Sequence, residues 1–201
     1  HDALPILYNS FTMEKKKAGK LFVISGSSGV GKGTLLKILL ENNPDINLSI
    51  SATTRHPRKG EIDGVNYFFV EEEDFLKSVH NGEFLEYAQF NGNFYGTKEA
   101  YVRKTLNKGE DLILEIETKG ALQIKQKLPD AVLIFILPPS IEELEKRLRG
   151  RNTEDENAIK NRLHEAFREI ECAKDYDYRI VNDNLEKAVM ELQKVVDKER
   201  K

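Results

Sequence analysis

Three groups of side chains in this sequence have the types and spacing to handle phosphate esters. The first is Gly26-Ser27-Ser28-Gly29-Val30-Gly31-Lys32-Gly33-Thr34. It follows an apolar run, Leu21 to Ser25, that reads as a strand, and it opens a helical pattern from Thr34 to Glu41. That is the context a phosphate-binding loop requires. Its glycines let successive backbone N–H groups point into one concavity, and the helix N-terminus adds partial positive charge. Lys32 would reach the β- and γ-phosphates of a nucleotide as a compact cation. A flexible linker that happens to contain lysine is the plainer alternative, but a linker does not need this spacing. The usual pattern has Ser or Thr directly after the lysine, ligating Mg²⁺. Here Gly33 takes that slot and the hydroxyl arrives at Thr34. A water-mediated shell then suits Mg²⁺, which dehydrates reluctantly.

The second group is Thr53-Thr-Arg55-His-Pro-Arg58-Lys-Gly-Glu61, followed by Tyr67. Arg55 and Arg58 offer forked donors suited to a phosphate monoester. Downstream, Phe84-Leu-Glu86-Tyr-Ala-Gln-Phe90 and Gly92-Asn-Phe-Tyr95-Gly-Thr97 place a carboxylate, a phenol and a hydroxyl around one hairpin. A carboxylate such as Glu86 can accept from both the N1–H and the exocyclic amine of guanine, whereas adenine presents a lone pair at that ring nitrogen. Most glutamates on strands are simply exposed, and that is the competing reading of Glu86. The third group is Lys146-Arg147-Leu-Arg149-Gly-Arg151-Asn152, with Arg162 beyond it. Phosphoryl transfer needs such positive charge near the equatorial oxygens more than it needs a covalent nucleophile. Arg149 reads as a solvated helix residue. Asn152 tolerates left-handed backbone angles.

These groups need a scaffold, and the sequence describes one. Short apolar runs at 21–25, 111–116 and 132–137 alternate with helical patterns at 34–41, 98–107 and 121–127. Strands apolar on both faces and separated by helices imply an α/β fold with a parallel sheet core flanked by helices. Further strands are expected at 48–51, 67–70, 84–90, 93–95 and 178–181, and helices at 72–81, 141–149, 156–174 and 185–198. Asn91-Gly92 is tight-hairpin chemistry. Leu114-Glu115-Ile116-Glu117 closes the 111–116 strand at the edge where ligands bind in open α/β sheets, and alternation sends Glu115 and Glu117 to one face. Either carboxylate could organise a hydrated Mg²⁺, and Glu117 could also meet a guanine amine.

The whole-chain properties narrow the function classes. Charged residues make up 32% of the 201, yet the net charge is only −3. That balance provides no footprint for nucleic acid or an anionic membrane. The single cysteine, Cys172, excludes an internal disulfide and fits a reducing compartment. No apolar run is long enough to span a bilayer, and a cytoplasmic location is the expectation. Residues 1–12 read as an appended leader before Met13, within a leader segment 1–18; a cleaved organellar precursor is the alternative, although the stretch is not rich in Arg and Ser as a transit peptide is. His56, His80 and His164 have no metal-ligand spacing.

Taken in order, the phosphate loop, the TTRxxRxGE segment, the FLEYAQFxGNxYGT segment and the LEIExxGA segment resemble those of guanylate kinases from about Gly19 to the end of the chain. The Gly-Lys-Gly-Thr variant is similar to that of adenylate kinases and many bacterial guanylate kinases. The resemblance implies a P-loop core (19–50, 98–146 and 173–201), a mixed α/β nucleotide-monophosphate-binding insertion (51–97) and a helical lid (about 147–172). It implies that Arg55, Arg58, Tyr67 and Tyr95 hold the GMP phosphate and that Ser51, Glu86 and Thr97 read the guanine, with Glu117 beside them. Gly26 through Thr34 would hold ATP phosphates, Asn182 would lie against adenine, and Lys32, Arg55, Arg147, Arg151 and Arg162 would serve the transfer. Glu115 and Thr34 would meet Mg²⁺ through water. The sequence departs from the family at Ser27, where proline is common, at Glu117, where many members have aspartate, and at Asn152, where glycine is typical.

The activity implied is transfer of the ATP γ-phosphoryl group to GMP, giving ADP and GDP, with dGMP as a further acceptor to consider. Two alternatives stand beside it. Guanylate kinase-like domains also act as non-catalytic phosphopeptide-binding modules, but these are expected to have a broken phosphate loop, and Lys32 is intact here. An acceptor such as AMP or dTMP would keep the enzyme, but Glu86 and Thr97 argue against it.

Overall fold

The computed structural model describes residues 17–27, 29–152 and 154–201. The leader expected before Met13, and Ser28 of the phosphate loop, lie outside the described residues. The chain enters through β1 (Leu21–Gly26), whose first five residues are fully buried, and passes through the glycine-rich loop into α1 (Lys32–Asn42). This helix begins two residues earlier than the sequence pattern indicates, so Lys32 and Gly33 belong to its first turn. Next is β2 (Ile46–Leu48) rather than a strand at 48–51. The correction has a packing cause: Ile46 is buried in the core while Leu48 is 46% exposed. An edge strand with one partner takes its register from the side chain it buries.

From Ser49 the chain crosses into a second sheet. It forms β3 (Ala52–Thr53), β4 (Phe68–Phe69), α2 (Glu72–His80), β5 (Phe84–Phe90) and β6 (Asn93–Lys98), with strand order β4-β3-β6-β5. Asn91 and Gly92 both have positive φ (49° and 78°), as a two-residue hairpin turn of the primed type needs. Phe75 of α2 stacks on Phe84 and Phe94 to make a small core of this sheet's own. Phe84, Leu85 and Glu86 are all buried, which plain alternation forbids on a half-solvated sheet. A register shift between Phe84 and Glu86 resolves this: Phe84 joins the small core, Leu85 the main core, and Glu86 turns inward.

The chain then returns to the first sheet through α3 (Glu99–Asn107), β7 (Asp111–Glu115), α4 (Thr118–Lys127) and β8 (Val132–Leu137). After α5 (Ile141–Gly150) and α6 (Glu156–Cys172), a single 3₁₀ turn (Ala173–Asp175) leads to β9 (Tyr178–Val181) and α7 (Leu185–Arg200). The main sheet has order β2-β7-β1-β8-β9 and every pair is parallel. One face packs on Leu35, Leu36 and Leu39 of α1 and on Ala188, Leu192 and Val196 of α7. The other packs on Val102 of α3 and on Ala121 and Ile124 of α4. Each fully buried Leu, Ile or Phe contributes about 1.5–3 kcal/mol relative to exposure, so both helix layers are required by the composition of β1 and β8.

Helices α5 and α6 pack on each other through Leu144, Leu148, Leu163 and Ala166. Both are N-capped: Ser140 accepts from the Glu143 amide and Asp155 from the Ala158 amide. The Arg149 guanidinium donates to Glu145, one turn back, and to Glu156, the first residue of α6. It therefore ties the two helices at an exposed position instead of standing free in solvent. Asn152, between them, has φ 51°.

Candidate active site

The loop between β1 and α1 is braced by the far end of the main sheet. Asn182, just after β9, is buried; its Nδ2 donates to the Val30 carbonyl at 2.8 Å and its backbone N–H to the Leu137 carbonyl at 2.8 Å. Gly31 has φ 87°, and a Cβ there would stand 2.7 Å from Asn182 Nδ2, so both backbone and space demand glycine. Arg147 of α5 donates to the Asn182 carbonyl at 3.3 Å and pairs with Glu143 at 3.4 Å. A cavity of 300 Å³ opens here, lined by Gly29, Val30, Gly31, Thr34, Arg147, Arg151 and Asn182 together with Asp183 and Leu185. No acidic residue stands in the first turn of α1, so its N-terminal N–H groups keep their positive character. Gly26 and Ser27 lead into the loop, Ser27 being buried with no partner for its hydroxyl among the described residues.

A second cavity, of 560 Å³, lies between the two sheets and α6. Ser51, Tyr67, Glu86, Tyr95, Glu115 and Glu117, all expected from sequence, line it together. Glu86 is only 7% exposed, which overturns the reading of an ordinary surface glutamate. The Thr97 hydroxyl, on the paired residue of β6, donates to Glu86 Oε1 at 2.7 Å. A Cβ on Gly120 would lie 2.8 Å from Glu86 Oε2, so the first turn of α4 is glycine where it passes the carboxylate. Burial pushes the Glu86 carboxyl above its ordinary range and Glu117 adds to this, while the Thr97 hydroxyl and Lys127 oppose it. Such a buried carboxylate lines the cavity with most of its hydration removed. A ligand presenting two adjacent N–H donors would satisfy it.

Strand β7 ends at Glu115, and Glu117 stands beyond it as the N-cap of α4. The expected shared face is thus replaced by a strand end and a helix start, although both carboxylates line one cavity. Glu115 Oε1 lies 3.4 Å from Lys32 Nζ and joins the phosphate loop to this cavity. Among the described residues no cluster of three or more His, Cys, Asp or Glu could hold a metal ion.

The Arg55 and Arg162 guanidinium groups are held by carboxylates. Arg55 donates through both terminal nitrogens to Glu61, at 2.8 and 3.0 Å, and lies over the Tyr67 ring, 5.3 Å from its centroid. Glu61 also accepts from the Arg58 amide at 2.7 Å, and these bonds hold its carboxyl down at about 2. Arg55 and Arg58 do not line either cavity, and neither does Arg162, which pairs with Glu154 at 2.5 Å. Arg147 and Arg151 are brought to the phosphate loop; Arg162 is not brought to them.

Sequence reasoning missed three contributors. Glu61 was legible as part of the arginine loop but had no role assigned to it. Glu165 and Glu169 of α6 line the larger cavity opposite Glu117. Their spacing of four puts them on one helix face, but nothing local says which way that face looks. Burial, followed by the charges of Glu165 and Glu117, pushes the Glu169 carboxyl up to about 7.

A family model described as guanylate kinase matches residues 18–199. A guanylate kinase of Clostridioides difficile (strain 630) is 52% identical over 184 residues, covering 92% of this chain and 90% of that protein. One of Halalkalibacterium halodurans is 49% identical over 187 residues, covering 93% and 91%. The crystal structure of guanylate kinase from Anaplasma phagocytophilum superposes with a TM-score of 0.72 at 35% identity, covering 92% of this chain and 88% of that one. With a family model over residues 18–199 and relatives of this identity and coverage, the chain belongs to the guanylate kinase family.

Proposed function

We propose that the chain transfers the γ-phosphoryl group of ATP to GMP, giving ADP and GDP. The observation that carries this is Glu86: a buried carboxylate in a cavity, aimed by Thr97 and given room by Gly120. Guanine's N1–H and amine fit it; adenine would oppose a lone pair to it, and leaving a buried polar group unpaired costs about 1–3 kcal/mol. That corresponds to roughly five- to 150-fold discrimination.

In this reading residues 51–97 form the GMP-binding insertion and about 147–172 the lid on a core of 19–50, 98–146 and 173–201. Ser51, Glu86, Thr97 and Glu117 face the base, and Arg55, Arg58, Tyr67 and Tyr95 the GMP phosphate. Gly26 to Thr34 cradle the ATP phosphates, with Asn182 bordering the nucleoside. An oxygen of the GMP phosphate attacks the γ-phosphorus in line; the bond to the β,γ-bridging oxygen breaks and ADP departs. The attacking phosphate is already ionised near neutral pH, so no general base is needed. Lys32 holds the β- and γ-phosphates, and closure of the lid brings Arg147, Arg151 and Arg162 against the equatorial oxygens and excludes water.

Mg²⁺ fits the donor set as an ion carried by the nucleotide, since one carboxylate, Glu115, stands beside Lys32 and Thr34 supplies a hydroxyl. Its chemistry there would be charge neutralisation on the phosphates. No described helix is long and apolar enough to cross a membrane; a cytoplasmic location is proposed on the need for ATP and on the single cysteine.

The test is ADP release with ATP and Mg²⁺, offering GMP, dGMP, AMP, dTMP, CMP and UMP separately. Turnover with GMP, abolished or strongly reduced in Glu86→Ala, is the expected result. Turnover only with another monophosphate would discard this reading of the cavity. No turnover at all from folded protein would favour a binding module.

A further inference from the structure

Below the two cavities lies a chain of hydroxyls that the reaction described above does not use. Ser25, next to last in β1, is fully buried. Its hydroxyl donates to the Ile116 carbonyl at 2.7 Å and accepts from the Tyr176 hydroxyl at 2.8 Å. The directions are forced: the serine proton is committed to a carbonyl, which can only accept, so the tyrosine must donate.

The three residues come from three parts of the site. Two residues after Ser25 the phosphate loop has begun. Ile116 lies between Glu115, which pairs with Lys32, and Glu117, which lines the larger cavity. Its own amide donates to the Ile24 carbonyl at 3.2 Å, and beyond it the β1–β7 ladder stops. The Ser25 side chain thus supplies one further rung where the backbone has turned away toward α4. Tyr176 follows the 3₁₀ turn that ends α6, and its ring packs edge-on against Phe135 of β8 at 5.2 Å. Arg179 fastens the same turn, donating to the Ala173 and Tyr176 carbonyls at 3.1 and 3.0 Å. The root of α6 is therefore pinned to the core at its C-terminal end, while its other end, at Glu156, accepts from Arg149 of α5.

We propose that Ser25 and Tyr176 are positioning residues for phosphoryl transfer. Their hydroxyl chain locks the Glu115–Glu117 segment in register with the strand that feeds the phosphate loop, and it roots α6 to both. The proposal rests on the function put forward above. It acts chiefly on turnover: Ser51, Glu86 and Thr97 lie outside the locked segment, and of the base-facing residues only Glu117 belongs to it.

The experiment is steady-state kinetics of Tyr176→Phe, Ser25→Ala and the double variant, with hydrogen exchange of the Ile116 amide. Tyr176→Phe keeps the ring on Phe135, and its kcat is expected to fall about five- to ten-fold, the factor for one lost buried hydrogen bond. Its KM for GMP should stay within about two-fold. Ser25→Ala strands both partners and should lose more, and adding Tyr176→Phe to it should cost nothing further, because the two act as one unit.

Unchanged kcat in both single variants at a temperature where they are folded would overturn the proposal. So would losses that multiply in the double variant, or a change confined to the KM for GMP. Should Tyr176→Phe not fold, Ser25→Ala against the native chain is read by the same split. If the native chain itself does not phosphorylate GMP, the proposed function fails, and the relay is judged by exchange alone. An Ile116 amide exchanging at least about five-fold faster in Ser25→Ala supports it, and an unchanged rate overturns it.

Discussion

The Thr97 hydroxyl and the Glu86 carboxylate face each other across the β5–β6 pair at 2.7 Å, and both are buried. The bond uses one lone pair of Oε1, fixes the plane of the carboxylate and leaves its outer edge for a ligand.

Removing that carboxylate should therefore change recognition more than stability. Glu86→Gln presents an N–H where guanine also presents one, and kcat/KM for GMP should fall about ten- to a few hundred-fold, chiefly through KM. Thr97→Val should cost less, about three- to ten-fold, since Glu86 stays but loses its orientation. Initial-rate kinetics with GMP varied at saturating ATP will show both.

Ionisation of Glu86 should be visible in the pH dependence of GMP binding. Its carboxyl is pushed up by burial in the free protein, whereas two N–H donors from guanine favour the charged form. GMP affinity should then rise with pH until Glu86 is ionised in the free protein and level off above. Glu86→Gln should retain only the dependence contributed by the phosphate of GMP. Isothermal titration in two buffers of different ionisation enthalpy should find proton release in the native chain and less in the variant.

Gly120→Ala tests the space rather than the charge. The added Cβ would stand 2.8 Å from Glu86 Oε2, and the carboxylate would have to move. We expect GMP affinity to fall at least about ten-fold with ATP affinity unchanged, by equilibrium titration of each nucleotide.

Asn182→Ala should do the opposite. It removes the 2.8 Å bond to the Val30 carbonyl that braces the phosphate loop. One buried hydrogen bond lost is about 1 kcal/mol or more, so ATP affinity should fall about five- to ten-fold with little change for GMP.

Glu169 carries a linkage between pH and stability. Its carboxyl titrates at about 7 in the folded chain, above the value of roughly 4.3 in an unfolded one. The folded state then binds more protons between these values, so stability falls as pH rises from about 4.3 through about 7. Glu169→Gln should remove this loss and raise Tm at pH 8 relative to the native chain, with no gain at pH 4. Because the group is partly solvated, the gain is on the order of 1 kcal/mol. Thermal unfolding at the two pH values decides it.

Much of this molecule is legible without coordinates because its signals are local. A glycine-rich run between an apolar strand and a helix specifies a phosphate loop, Asn91-Gly92 specifies a hairpin, and strands apolar on both faces specify a covered parallel sheet. Of the residues expected around GMP, five (Ser51, Tyr67, Glu86, Tyr95 and Glu117) line one cavity, with Glu115 beside them. What sequence could not supply depends on which surfaces meet. The burial of Glu86 comes from a one-residue register shift that turns three consecutive side chains inward, against simple alternation. The place of β2 followed from whether Ile46 or Leu48 reached the core. Arg149 reads from sequence as a solvated cation and Arg55 as a phosphate ligand, but each is held by carboxylates in the folded chain. Glu169 and Tyr176 acquire their surroundings only when α6 is laid across the sheet ends. Local backbone preference is written within a few neighbouring residues; burial depends on segments far apart in the chain, and only the packed structure brings them together.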